Sequence, residues 1–288
     1  VWYERRVRFA PLQLGSSELD WSRAYIMGVL NVTPDSFSDG GRFSDVDAAL
    51  RQAQQLAGAG ADILDIGGES TAPRAREVSS GEEIDRVCPV IERVVATVDV
   101  PVSVDTTKAS VARAAVGAGA VMVNDVSGGL FDDAMIDTVA DLGAAYVCSH
   151  LRGSSIADVH GRETAPPSFD EVVGELLHRL EALPAPLRAR TIADPGIGFG
   201  KPPALNVELL RRIDTLIARV DRPVLVGPSR KRFLGTLTGE PVDRRDAATV
   251  GAALAAVTGG AHLVRVHSVQ MMRSALVVFE AIRTGVRG

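Results

Sequence analysis

The sequence predicts a closed (β/α)8 TIM barrel preceded by a short extension, and three observations carry that prediction. A short Val/Ile/Leu-rich run, a polar or glycine-rich turn and an Ala/Leu/Arg helical pattern recur eight times between residues 26 and 284. No Gly-x-Gly-x-x-Gly turn follows the first run, which disfavours a doubly wound dinucleotide-binding sheet. The length of 288 residues suits one such barrel, which needs ~250.

Residues 1–25 read as an irregular N-terminal extension, with a hairpin under the barrel floor as its simplest form, and residues 26–288 as the barrel. The strand runs are Ile26–Leu30, Asp62–Ile66, Val100–Val104, Val121–Asn124, Ala144–Ser149, Thr191–Ala193, Pro223–Val226 and Ala261–Val266. The helical patterns are Val46–Ala59, Gly81–Val98, Lys108–Ala118, Asp133–Leu142, Phe169–Leu183, Leu205–Val220, Arg245–Thr258 and Gln270–Thr284. Ser79 or Ser80 with Glu82 or Glu83 three residues on, and Asp132 or Asp133, are helix-start signals. Gly60, Gly119 and Gly143 fall where helices should stop. The longest loop, roughly Leu151–Ser168, is polar and contains proline.

Composition narrows the function. A net charge of −5 without a basic stripe argues against nucleic acid as a partner. Apolar runs are broken well before the ~18 residues of a membrane span, and the N-terminus lacks a signal-peptide core. Cys88 and Cys148 form no Cys-x-x-Cys pair and read as structural thiols of a cytoplasmic protein.

Active sites of such barrels lie at the C-terminal ends of the strands. Here those ends carry Asn31; Asp65 with Gly67-Gly68-Glu69-Ser70-Thr71; Asp105; Asn124-Asp125; His150; Asp194; Ser229-Arg230-Lys231; and Arg265-Val266-His267. Each has a plain alternative. Asp105 could be only a helix cap, Asp65 a loop brace, and His150 a core histidine; Glu82-Glu83 and Arg244-Arg245 read as solvated helix faces. The convergence of eight polar strand ends outweighs these alternatives. Asp194-Pro195-Gly196-Ile197-Gly198-Phe199-Gly200-Lys201 is no Walker loop: its glycine spacing is wrong, and Pro202 stands where a hydroxyl should hold Mg²⁺. Its glycines instead suit close passage of the backbone beside a flat ligand, with Phe199 as a wall. Arg230, Lys231, Arg265 and His267 follow the last two strands, the usual phosphate end of a barrel. These residues imply a phosphorylated or diphosphorylated substrate. The carboxylates, with Asn124, suit the donor-rich edge of an uncharged heterocycle.

The loop Asn31-Val32-Thr33-Pro34-Asp35-Ser36-Phe37-Ser38-Asp39-Gly40-Gly41, taken with the motifs above, resembles the dihydropteroate synthases from Ile26 to about residue 284. The resemblance implies condensation of 6-hydroxymethyl-7,8-dihydropterin diphosphate with 4-aminobenzoate, releasing pyrophosphate in folate biosynthesis, and sensitivity to sulfonamides. It implies a pterin pocket of Asp105, Asn124, Asp194, Phe199, Gly227 and Lys231, and a diphosphate site of Asn31, Arg265 and His267 with Mg²⁺ at Asn31. Phe37, Thr71, Pro73, Ser229 and Lys231 would contact 4-aminobenzoate, and Asp105, Lys231, Arg265 and His267 would carry the chemistry. A homodimer is also implied. This chain departs from the family pattern at Ala72 and Arg74, where an arginine and a glycine are usual, at Ser149 for a methionine, and at Ser268 for an aspartate. The competing readings are a non-catalytic pterin-binding paralogue and a pterin-dependent methyltransferase. The basic cradle after the last two strands disfavours the latter.

Overall fold

The computed structural model describes residues 9–33, 41–71, 76–161 and 165–285. An antiparallel hairpin, β1 (Leu12–Leu14) and β2 (Ser17–Leu19), comes first. Eight parallel strands follow: β3 (Tyr25–Asn31), β4 (Ile63–Gly67), β5 (Val102–Asp105), β6 (Met122–Asp125), β7 (Ala145–Ser149), β8 (Thr191–Asp194), β9 (Leu225–Val226) and β10 (Leu263–Val266). Their order is β8-β7-β6-β5-β4-β3-β10-β9. The ring closes between β8 and β9 through one bridge, Ala193 to Val224, with Ala193 N–H donating to the Pro223 carbonyl at 2.9 Å. Helices pack around this ring, so the strands are buried on both faces and read as apolar runs.

Alternation along each strand sorts the side chains. Ile26, Leu64, Ile66, Val102, Val104, Val123, Tyr146, Val264 and Val266 join the layer between strands and helices. Met27, Ile63, Met122, Val147, Ile192, Leu225 and Leu263 instead form a second cluster with Leu12, Leu14, Leu19 and Trp21 of the hairpin region. That cluster is the barrel floor, so the hairpin expected there is present. Two residues further along the same inward faces stand Asp65, Asn124, Ser149, Asp194 and Arg265. The inside of the barrel is therefore greasy below and polar above.

Most expected elements stand within a few residues of their positions. Ser79 caps its helix, accepting from Glu82 N–H at 3.2 Å, and Gly60, Gly119 and Gly143 have φ of 93°, 113° and 69°. Several features depart from or add to the sequence reading. The helix expected over Leu205–Val220 is two, Pro203–Arg211 and Ile213–Val220, broken where Arg212 leaves helical geometry. The long loop contains a short helix, Ile156–Gly161, and another, Arg232–Thr238, follows Lys231 directly. Asp132 does not open its own helix alone; its carboxylate also accepts from Ala109 N–H at 2.8 Å, capping the neighbouring helix. Glu83 is not a solvated face: its side chain is 1% exposed and paired with Lys108. Ser268 occupies the N-cap position of the helix Val269–Thr284, but its hydroxyl makes no capping bond. Among the described residues, no helix is long and apolar enough to cross a membrane.

Candidate active site

Four strands contribute to one buried network at the barrel mouth. Asp65, fully buried in β4, accepts through one oxygen from Asn124 Nδ2 at 2.9 Å and from Arg265 Nε at 2.6 Å. Arg265 Nη2 donates to Asp105 Oδ2 at 2.5 Å. Strand register makes this possible: Gly67 pairs with Asp105 and Asp105 with Asn124, while Asp65 lies two residues deeper on the same face. Burial pushes the Asp105 carboxyl up to about 7, with Arg265 opposing and Asp65 and Glu83 reinforcing the shift. Burial works against the Arg265 charge, but the two aspartates outweigh it and hold the guanidinium above its ordinary value. The other oxygen of Asp65 is buried with no hydrogen-bond partner among the described residues. The sequence places Asp65 among the polar strand ends, with a loop brace as its plain alternative; here it holds the network together.

Asp194, at the end of β8, accepts from Gly196 N–H at 2.8 Å and from the Ser149 hydroxyl at 3.2 Å. Burial raises its carboxyl against these donors. The following turn runs through φ of 65°, 84° and 60° at Gly196, Gly198 and Gly200. A Cβ on Gly196 would stand 1.9 Å from the His150 carbonyl oxygen, and one on Gly198 would stand 2.7 Å from Lys231 Cδ. These glycines thus admit other parts of the protein, where the sequence suggested a ligand. Lys201 has a similar internal task, its ammonium donating to the carbonyls of His150, Gly196 and Phe199 at 3.0, 2.9 and 3.3 Å. His150 is a core histidine, bonded through Nε2 to Glu175 at 3.0 Å. Asp125 points out of the barrel, accepting from Ser127, Gly129 and the Tyr146 hydroxyl.

The basic wall faces these carboxylates. Lys231 lies beside the turn with its ammonium 3.9 Å from the Phe199 ring centre. Burial and then Arg265 lower it to about 8, against the pull of Asp194 and Asp105. Ser229 Oγ lies 2.8 Å from His267 Nδ1. Gly227 leaves an opening next to Arg265, its missing Cβ only 3.8 Å from Arg265 Cβ. Arg230, grouped with the phosphate residues by sequence, turns away: Nε and Nη2 grip the Asp246 carboxylate at 2.7 and 2.8 Å. Its φ of 55° is the left-handed region, held by that pair and by Thr249 Oγ1 on its N–H at 3.0 Å.

Asn31 ends β3 at the exposed rim. Thr71 is half-buried at the start of the second loop, whose base is tied down in a way the sequence did not suggest. Lys108 Nζ bridges Glu69 and Glu83 at 2.5 and 2.6 Å, Glu69 also accepts from Val78 N–H at 2.8 Å, and Arg86 donates to the Gly68 carbonyl at 2.6 Å. Phe37, Pro73, Ala72 and Arg74 lie outside the described residues. The barrel mouth brings together Asp105, Asn124 and Arg265, Lys231 beside Phe199 and Asp194, and Ser229 with His267.

Comparison with known proteins now supplies a family. The model of the pterin binding enzymes matches residues 27–267. Dihydropteroate synthase of Synechocystis sp. is 40% identical over 279 residues, 94% of this chain and 95% of that protein. The chain belongs to the dihydropteroate synthase family. Solved dihydropteroate synthases superpose on it closely. The Xanthomonas albilineans enzyme with 4-aminobenzoic acid is 44% identical, with a TM-score of 0.85 over 96% of this chain and 98% of that one. The Yersinia pestis enzyme in a sulfonamide drug complex is 37% identical, with a TM-score of 0.87 over 96% and 100%. A mitochondrial folate synthesis bifunctional protein of Arabidopsis thaliana is 39% identical over 94% of this chain, which spans 52% of that protein. As a dihydropteroate synthase the chain is a transferase, and the methyltransferase alternative falls away. Ser149, where the family pattern has a methionine, bonds Asp194.

Proposed function

We propose that this chain joins 6-hydroxymethyl-7,8-dihydropterin diphosphate to 4-aminobenzoate, with pyrophosphate leaving. The observation that carries this reading is the opposition, across one barrel mouth, of Asp105, Asn124 and Asp194 to Lys231, Arg265 and His267. A pterin edge offers donors to the first set and its diphosphate offers oxygens to the second. The solved Xanthomonas albilineans enzyme in complex with 7,8-dihydropteroate, 42% identical to this chain, supports it.

The C–O bond to the diphosphate breaks with its electron pair leaving on the pyrophosphate oxygen. The pterin methyl cation is then captured by the arylamine nitrogen, which loses a proton. Arg265 and His267 meet the charge on the departing oxygens, and ionised Asp105 faces the cation. Phe37, Thr71, Pro73 and Ser229 would hold 4-aminobenzoate, and sulfonamides would compete there. Mg²⁺ suits the donor set: an exposed amide oxygen, Asn31, at the rim is enough for an ion that keeps its waters and arrives on phosphate. When bound, that ion neutralises diphosphate charge. A homodimer fits the exposed Val277, Val278 and Ile282 on the helix Val269–Thr284, at 57%, 58% and 79% exposure. A cytoplasmic location fits a folate-pathway transferase.

The test is pyrophosphate release by purified protein with Mg²⁺ and both substrates, with the product identified by mass. Dihydropteroate is the expected result; tight pterin diphosphate binding without release would overturn it. Two further results are expected. The profile of kcat/KM against pH should be a bell, rising as Asp105 ionises near 7 and falling as Lys231 loses its proton near 8. Lys231→Arg should remove the alkaline limb from whatever activity it keeps, and a flat profile in the unaltered protein would sink the assignment. Ala72→Arg combined with Arg74→Gly should tighten sulfonamide inhibition by about tenfold, the worth of one charged contact. An unchanged inhibition constant would remove the link between those positions and drug response.

A further inference from the structure

Ser229 and His267 meet twice across the mouth of β9 and β10. The His267 backbone N–H donates to Ser229 Oγ at 3.1 Å, and the same Oγ lies 2.8 Å from His267 Nδ1. A hydroxyl has one proton and two lone pairs. With one lone pair taken by the amide, the proton of Ser229, itself only 8% exposed, has Nδ1 as its sole side-chain or backbone acceptor among the described residues. The opposite arrangement, a proton on Nδ1, would strand the hydroxyl proton. It would also turn the lone pair of Nε2 outward in a site built for anions.

The geometry points to Ser229 as the residue that fixes His267 as its neutral Nε2–H tautomer, leaving a hydrogen-bond donor at Nε2. Burial, and then Arg265 and Arg230, hold the imidazole down to about 3, so a second proton does not compete. His267 continues the inward face that Leu263 and Arg265 occupy on β10. Its Nε2–H then serves a departing diphosphate oxygen, a role that rests on the function proposed above. A neutral imidazole donates a hydrogen bond without surrendering its proton, so His267 acts here as an oxyanion donor and not as a general acid. Ser229 is accordingly a positioning residue, a task separate from touching 4-aminobenzoate.

Nitrogen NMR of the full chain with labelled histidine tests this directly, the His267 signals being assigned by their loss in His267→Gln. The expected spectrum has a bare Nδ1 and a protonated Nε2, unchanged between about pH 6 and 8, where a free histidine titrates. A proton on Nδ1, or on both nitrogens, would overturn the proposal. Ser229→Ala should spread the proton over both nitrogens, and Ser229→Thr should restore the single tautomer; an unaltered spectrum in the alanine variant would also overturn it. In turnover, Ser229→Ala should lower kcat about tenfold, the lower end of what losing an outer partner costs. A loss confined to KM for 4-aminobenzoate would reduce Ser229 to a substrate contact. The tautomer is read on the resting protein, so it stands or falls whether or not turnover is found.

Discussion

Arg265→Ala should lose about a thousandfold in kcat/KM and also melt at a markedly lower temperature. The guanidinium is asked to do two things. Toward the substrate it meets diphosphate oxygens, and removal of one such group typically costs roughly 10²–10³ in rate. Within the protein it neutralises Asp65, whose side chain is 0% exposed, and Asp105, at 11%. Breaking a buried pair from one side costs about 3–5 kcal/mol because the other charge remains. In a domain of this size that lowers the melting temperature by on the order of 10 °C. The pH dependence has a definite sign. Burial already raises the Asp105 carboxyl, and losing Arg265 removes the charge that opposed the rise, so the penalty is greatest above neutral pH and shrinks as pH falls toward the ordinary carboxylate range. Melting curves at about pH 5.5 and 8, beside the pyrophosphate assay, check both halves. Equal melting of variant and parent at pH 8 would show that the network carries no stability.

Lys231→Met separates the same two quantities. Activity should again fall by roughly 10²–10³, since an ammonium that acts on both Asp105 and Asp194 is gone. Stability, however, should rise. Burial lowers Lys231 to about 8 from its ordinary 10.5, so the folded state pays for holding the proton. That cost is present in full below pH 8 and disappears as pH approaches the unfolded value. The methionine variant should therefore out-melt the parent at pH 7, with an advantage that narrows toward pH 10. Methionine keeps the unbranched stem packed against Phe199 and Gly198, so no cavity offsets the gain. A lower melting temperature at pH 7 would refute the electrostatic account.

The barrel and the rim of its site were legible because both follow from order along the chain. Strand ends are visible as the point where apolar runs stop, and the fold places those points together. Facing is harder to see. Asp65 sits in Ile63-Leu64-Asp65-Ile66-Gly67, and alternation from Ile63 on the floor would have turned it inward; that signal was present but overshadowed by the neighbouring apolar residues. Glu83 looked like half of a solvated Glu82-Glu83 pair because its partner, Lys108, lies 25 residues away. Arg230 was placed with the phosphate residues because it follows the seventh strand, and it turns the other way. Its outward turn depends on a left-handed backbone and on Asp246, neither of which leaves a local pattern. The substitutions at Ala72 and Arg74 were readable only as departures from the family.

One detail of the barrel's construction bears on how it breathes. Neighbouring strands are joined by ladders except at β8 and β9, which share the Ala193–Val224 bridge. Amide protons along that line should exchange with solvent sooner than those of β4 or β5, because fewer bonds must open to free them. Asp194 and Phe199 stand on one lip of this seam and Ser229 and Lys231 on the other. A ligand gripping both lips would act as a stitch, so the slowing of amide exchange on binding should be concentrated there, far from the strands that already hold themselves shut.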